Sequence, residues 1–111
     1  MELIYADKDI VVCVKPSGLV SQDAGDAGVP EQLRKALGSE EIYTVHRLDK
    51  EVGGVMVYAR TQKAAAALRK SVQENRLEKL YLAVLNGIPE SPEGLLEDLL
   101  FHDKQKNKTY V

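Results

Sequence analysis

The chain has 111 residues, of which 44% are hydrophobic and 29% charged, and it contains a single cysteine. This length fits one small globular domain and leaves no room for two. The net charge of −2 excludes a protein that binds nucleic acid as a polycation over its whole surface, and one cysteine excludes an intramolecular disulfide. The longest apolar run is far shorter than the roughly 20 residues of a membrane span, and no signal-peptide pattern follows Met1. We therefore expect a cytoplasmic protein without a membrane partner.

Charge is distributed unevenly along the chain. Residues 1–45 contain four basic side chains against eight acidic ones, which gives −4, and residues 90–111 carry −2. Residues 46–89 reverse the sign, with eight basic against four acidic side chains and a local charge of +4. A patch of this kind suits a phosphate backbone, because each contact releases condensed counterions. The alternative is the solvated face of a helix.

The chain begins with two predicted strands. Residues 2–5 form a short apolar run, and residues 9–14 form a β-branched run that stops at a Lys-Pro-Ser-Gly turn over 15–18. The following stretch, 21–29, is rich in Gly, Asp and Ala and has no periodicity. It predicts a surface loop.

Two helices are predicted further along the chain. Pro30 suits the first position of a helix over 31–37, and Gly38 suits the left-handed residue that ends it. Thr61 is a good N-cap for an Ala-rich helix from residue 62 to about residue 75. Its apolar side chains fall near one face, which leaves its basic side chains free to face water.

Two more apolar runs predict strands, at 54–59 and at 79–85, and the second run closes on an Asn-Gly turn. Residues 95–101 are ambiguous between a strand and a helical turn, whereas 109–111 are β-prone. This mixture of helices and strands predicts an α+β fold.

The densest group of ionisable side chains is the sequence His-Arg-Leu-Asp-Lys at 46–50, just before Gly53 and Gly54. Burying such a group is costly, so we place it at the rim of a cleft. Because a neighbouring guanidinium favours the ionised carboxylate, Asp49 is suited to nucleophilic or base chemistry. From spacing alone, a surface salt-bridge cluster is the commoner explanation.

Other catalytic templates fit poorly. A metal site would need His46, Asp49 and His102 to converge without any helix-spaced pair of ligands, so we predict none. Ser17 lacks the context of a nucleophile elbow, and Cys13 lies inside an apolar strand, where a core position is expected. The turn over 15–18 lacks the spacing of a P-loop and is expected to be rigid, with Lys15 as a phosphate contact.

Four sequence blocks, in matching order and spacing, resemble the successive motifs of the RluA-type RNA pseudouridine synthases. The resemblance covers essentially the whole chain. The blocks are Lys-Pro-Ser-Gly-Leu-Val at 15–20, His-Arg-Leu-Asp-Lys at 46–50, Gly-Val-Met-Val-Tyr-Ala at 54–59 and Lys-Leu-Tyr-Leu-Ala-Val-Leu-Asn-Gly at 79–87.

The resemblance implies an isomerase that converts uridine to pseudouridine in ribosomal or transfer RNA, without a cofactor or metal. Asp49 corresponds to the essential aspartate, which attacks the target nucleotide while the uracil is detached, turned and rejoined through C5. Arg47 corresponds to the arginine that helps extrude the base and hold it flipped. Tyr81 corresponds to the active-site tyrosine, which stacks on the uracil and is implicated in removal of the C5 proton. Without the resemblance, a strand tyrosine is more often a core or interface residue.

The remaining polar residues are given smaller roles. Lys15, Lys50 and Lys79 are expected to contact RNA phosphates, although most such lysines are simply solvated. His46 is expected to orient the loop through hydrogen bonds.

The chain departs from the family pattern in two ways. Val52 and Gly53 replace the usual Thr-Ser, which we expect to loosen the loop that holds Asp49. The family's later motifs, a basic partner of the aspartate and Gly-Arg-x-His-Gln, do not occur before Val111, and nothing resembles an S4-type RNA-binding domain. Residues 1–111 are therefore interpreted as the N-terminal part of the catalytic domain.

As half of a catalytic domain, the chain is expected to form a mixed, mainly antiparallel sheet flanked by helices. We expect weak or no activity from it alone, and self-association through exposed sheet edges. The first alternative is an inactive RNA-binding or interaction module with the same fold. The second is an unrelated α+β domain.

Overall fold

The computed structural model of the chain describes residues 1–88, 90–94, 101–103 and 108–110. The chain divides into two compact units, Met1–Lys79 and Leu80–Val111. The elements of the first unit are β1 (Glu2–Ala6), β2 (Ile10–Lys15), α1 (Val29–Leu37), β3 (Tyr43–Thr44), β4 (Gly54–Ala59) and α2 (Gln62–Gln73).

The first unit is built on a four-stranded sheet in the order β1-β2-β4-β3, and every neighbouring pair is antiparallel. The central pair runs in unbroken register, with Ile10 opposite Ala59 at one end and Lys15 opposite Gly54 at the other. The edge strand β1 carries an irregularity between Leu3 and Tyr5. The predicted α+β fold with a mainly antiparallel sheet and flanking helices is confirmed.

The two helices cover opposite faces of this sheet. Alternate residues of a strand point to opposite faces, so the side chains of β2 and β4 divide into two sets. The set on one face packs with α1 in a buried core of Val11, Cys13, Val29, Leu33, Ile42, Met56 and Tyr58. The set on the other face packs with α2 around Val45, Ala59 and Ala65.

The helix ends follow the predicted signals. Gly38 adopts a left-handed conformation with φ of 64°, and its N–H donates to the carbonyl of Arg34, as expected for a glycine C-cap. The Thr61 Oγ1 atom accepts a hydrogen bond from the N–H of Ala64 at 3.1 Å, which confirms the predicted N-cap of α2. Within the described part of the chain, no helix is long and apolar enough to cross a bilayer.

Several segments differ from the sequence-based expectation. The prediction of a strand over 79–85 is wrong, because this segment has no strand pairing in the described structure. The two-residue strand β3 is too short to leave a periodic signal and was not predicted. The segment 21–29 is only partly a surface loop, because Ser21 is buried and Val29 already belongs to α1.

In the second unit, β5 (Phe101–Asp103) pairs with β6 (Lys108–Tyr110) in an antiparallel ladder. The β-prone end of the chain is therefore a strand up to Tyr110, whereas Val111 and most of the ambiguous segment, 95–100, lie outside the described residues.

Candidate functional site

The ionisable cluster lies on the loop that joins β3 to β4. A turn closes this loop, in which the N–H of Val52 donates to the carbonyl of Asp49 at 3.0 Å. The side chains of Arg47, Asp49 and Lys50 are all exposed. The loop thus presents a guanidinium, a carboxylate and an ammonium to solvent within four residues.

The backbone on both sides of Asp49 is held by the segment that follows β2. On one side, the Ser21 hydroxyl donates to the carbonyl of Leu48 at 2.9 Å and accepts from its N–H at 3.2 Å. On the other side, the N–H of Gly18 donates to the carbonyl of Lys50 at 2.7 Å. The Ser17 hydroxyl donates to the next carbonyl, that of Glu51, at 2.7 Å.

Lys15 completes this connection from inside the protein. Its side chain is 0% exposed, and its Nζ atom donates to the carbonyls of Pro16 at 3.1 Å, Leu19 at 2.7 Å and Lys50 at 3.0 Å. Burial lowers the pKa of Lys15, an effect opposed by the charges of Glu51 and Asp49.

This geometry corrects the expectation that Lys15 contacts a phosphate. An ammonium has three donors, and carbonyl oxygens accept all three here. The buried Nζ is therefore used to hold two loops together.

Gly53 lets the two loops pack closely. A Cβ atom on Gly53 would lie 3.2 Å from the carbonyl oxygen of Lys15 and 3.4 Å from the nitrogen of Ser17. The loop expected to be loosened by Val52 and Gly53 is instead tied to the neighbouring segment by hydrogen bonds and by this close approach.

Ser21 is in turn positioned by the core. The buried hydroxyl of Tyr58 on β4 donates to the carbonyl of Ser21, and burial raises the pKa of Tyr58. Sequence reasoning did not single out Ser21, since a serine in a Gly-, Asp- and Ala-rich stretch has the composition of a loop. Tyr58 stood in a recognised block, but nothing in its pattern indicated that its hydroxyl would reach this loop.

His46 orients the start of the loop, as expected. Its Nε2 atom accepts a hydrogen bond from the N–H of Val57 on β4 at 3.2 Å, which requires a neutral ring. Burial, with a smaller effect from the positive charge of Lys79, lowers the pKa of His46. The neutral imidazole thus replaces a carbonyl as the acceptor at the point where the β3–β4 ladder ends.

The other predicted site residues are exposed. Lys79 is the last residue of the first unit, and Tyr81 belongs to the second unit with 62% of its side chain exposed. The first unit therefore brings Arg47, Asp49 and Lys50 together on one loop. Tyr81 is not a core tyrosine here.

Among the described residues, no group of His, Cys, Asp and Glu side chains could hold a metal ion.

Comparison with known proteins places these features in a family. The family model described as RNA pseudouridylate synthase matches residues 9–111. The dual-specificity RNA pseudouridine synthase RluA of Vibrio vulnificus is 35% identical over 98 residues, which cover 86% of this chain and 39% of that protein. The ribosomal large subunit pseudouridine synthase C of Buchnera aphidicola subsp. Schizaphis graminum is 31% identical over 111 residues, covering 96% of this chain and 35% of that one.

A solved structure agrees with the sequence relatives. Human RNA pseudouridylate synthase domain containing 4 superposes with a TM-score of 0.54 at 29% identity, over 68% of this chain and 30% of that chain. The chain spans less than half the length of the curated relatives it matches. With its ordered motifs and its matching fold, the chain belongs to the RNA pseudouridylate synthase family, in its RluA-type branch.

Proposed function

We propose that residues 1–111 are the N-terminal, aspartate-bearing part of the catalytic domain of a cytoplasmic RNA pseudouridine synthase. Its substrate is a uridine in structured ribosomal or transfer RNA. The family match over 9–111 supports the reaction, and the name of the Buchnera relative supports a ribosomal substrate.

The geometry of Asp49 carries this proposal. Its carboxylate is exposed to solvent, whereas the carbonyls of Leu48 and Lys50 on either side are fixed by hydrogen bonds from Ser21, Gly18 and Lys15. A nucleophile is most effective when it is accessible and its backbone is fixed before substrate binds. A surface salt-bridge cluster would have no need of such a support.

The proposed reaction is a balanced isomerisation that needs no cofactor. The bond between C1′ and N1 of the uridine breaks, and a bond between C1′ and C5 forms after the uracil turns. Asp49 attacks the nucleotide when the base is detached, and its bond to the nucleotide breaks when C5 bonds to C1′. Tyr81 stacks on the uracil and removes the C5 proton, while N1 gains a proton. Arg47 holds the base in the flipped conformation that access to C1′ requires.

Two exposed lysines are proposed to position the RNA. Lys50 follows the aspartate directly, and Lys79 ends the first unit. Contacts of this kind fix the orientation of a nucleic acid without reading its sequence.

Release of tritium from RNA that carries 5-tritiated uridine tests the proposal, because the C5 hydrogen leaves only when the new bond forms. We expect weak or no release by the 111-residue chain. We expect turnover by a chain extended through the remainder of the family's domain. In the extended chain, Asp49→Asn should lower the rate by about 10³-fold or more, the scale of losing a nucleophile.

Glu51→Gln is the matched control. It removes the same charge from the same loop. Among the described residues the Glu51 side chain makes no hydrogen bond, whereas its carbonyl, which the substitution retains, accepts one from Ser17. This variant should keep its activity. Full turnover by the 111-residue chain would contradict the partial-domain proposal. RNA binding with no dependence of product on Asp49 would favour an inactive RNA-binding module instead.

A further inference from the structure

Helix α2 is basic in a chain that is acidic overall. Its sequence, from Gln62 to Gln73, contains Lys63, Arg69 and Lys70 and no carboxylate, although the whole chain carries −2. Positive charge without interspersed carboxylates is unusual for a merely solvated helix, on which alternating signs are common.

The fold places Lys63 and Lys70 on the exposed side of α2, whereas the Arg69 guanidinium donates to the carbonyl of Thr44 on β3. The helix contacts the sheet through Ala64, Ala65 and Leu68, with Ala65 fully buried. Lys63 and Lys70 are exposed and lie seven residues apart, which is about two turns or 10 Å along one side of the helix. Small, exposed alanines, Ala66 and Ala67, separate them and leave room for a polymer to approach closely.

A basic residue from outside α2 borders the same surface. The turn between β1 and β2 brings Lys8 and Asp9 beside α2, where they line an open cavity of ≈ 450 Å³ with Lys63 and two alanines. The lining carries two ammonium groups against the single carboxylate of Asp9.

Within the described part of the chain, the lysines of this surface form no ion pair. The salt bridges recorded there belong to other cations, Arg34, Lys35 and Arg76. Exposed lysines without carboxylate partners retain their full charge toward an external anion.

The surface also lies away from the Asp49 loop. Strand β2 begins at Ile10, two residues after Lys8, and ends at Lys15, which holds the Asp49 loop. Six residues of strand separate the two positions by about 17 Å. A ligand that reaches both is much larger than one nucleotide.

We propose that the exposed face of α2, together with Lys8, binds the phosphate backbone of the RNA substrate at a distance from the target uridine. This inference rests on the proposed function and extends it, because it makes the substrate a folded polynucleotide that spans the length of β2. The contacts neutralise phosphates and carry no sequence information.

The test compares two double variants of the full chain that lose the same charge. Lys63→Gln with Lys70→Gln removes two cations of the α2 surface, and glutamine preserves the helix because its helix propensity is similar. Lys35→Gln with Arg76→Gln removes two cations that are paired with Asp26 and Glu74. Circular dichroism verifies that both variants are folded.

Fluorescence anisotropy with a labelled RNA hairpin that has a uridine loop measures affinity over a series of KCl concentrations. We expect the α2 variant to bind more weakly. The slope of log K against log salt should become shallower by roughly 1 to 2, because each lost phosphate contact reduces its magnitude by about 0.7 to 0.9. The control variant should keep the wild-type slope.

Equal weakening by the two double variants would overturn the proposal, since it would show only an effect of net charge. An unchanged slope in the α2 variant would also overturn it, and a wild-type chain that does not bind the hairpin would overturn this surface and the RNA substrate together. If the hairpin binds with the expected slopes but Asp49→Asn has no effect on tritium release by the extended chain, the α2 surface is supported and the proposed catalysis fails.

Discussion

At the scale of single residues, His46 couples the Asp49 loop to pH. Its Nε2 atom can accept the N–H of Val57 only when the ring is neutral, and the pKa of His46 is lowered by burial and by the charge of Lys79. The native state therefore favours the neutral ring more than the unfolded state does.

The stability contributed by neutral His46 should be fully present above the unfolded pKa of about 6.5 and should be lost as pH falls below it, because the unfolded chain takes up the proton first. We expect urea unfolding between about pH 7.5 and pH 5 to show a steeper loss of stability in wild type than in His46→Gln, in which position 46 cannot titrate. Parallel pH profiles for the two proteins would contradict this role of His46.

Exposed residues of the site were predictable, but buried ones were not. The cluster around Asp49 stands out in the sequence, because three ionisable side chains so close together belong at a surface. Lys15 and Ser21 act on main-chain carbonyls and N–H groups. Since main-chain groups are present at every residue, the pattern of side chains does not indicate which of them Lys15 and Ser21 will bond. Burial of Lys15 was also not expected, because lysine is rarely buried.

At the scale of elements, α2 depends on a well-defined N-terminus. The Thr61 hydroxyl accepts from the N–H of Ala64, and the Thr61 carbonyl accepts from the N–H of Ala65. The side chain and the main chain of this one residue therefore both bond to the first turn of the helix. Thr61 thus fixes the start of the helix that carries the proposed RNA surface.

Thr61→Ala removes the side-chain acceptor and should lower the free energy of unfolding by about 1 kcal/mol, whereas Thr61→Ser retains the hydroxyl and should cost much less. Urea unfolding of the two variants measures the difference. Equal losses in both would indicate that the methyl group of Thr61, and not its hydroxyl, is responsible.

Strand prediction succeeded where a pairing partner is present. The runs that became β2 and β4 pair with each other along their full length. The run over 79–85 is similarly apolar but has no ladder in the described structure, because a strand is completed by its neighbour and not by its own sequence. The brief strand β3 shows the opposite case, in which pairing with β4 creates a strand from two residues.

At the scale of the whole molecule, the second unit exposes a row of large apolar side chains. Leu82 and Val84 are exposed to 104% and 102%, and Leu80 and Ile88 to 96% each. Exposed apolar residues on a segment without a strand partner in the described structure favour association with another chain.

We expect the 111-residue chain to self-associate with increasing concentration, and Leu82→Gln with Val84→Gln to keep it monomeric. The matched control, Ile4→Gln with Val55→Gln, removes two exposed apolar side chains from the sheet of the first unit. Sedimentation velocity over a concentration series measures the association. Loss of association in the control variant alone would place the contact at the sheet and not at the segment 80–88.

The buried ammonium of Lys15 has a consequence for how this loop can change during evolution. Because Lys15, Ser17 and Gly18 donate to carbonyl oxygens of the facing loop, the Lys50 side chain can be replaced without losing these hydrogen bonds beside Asp49. The chemistry and the specificity of the loop are thus free to diverge while its scaffold stays fixed.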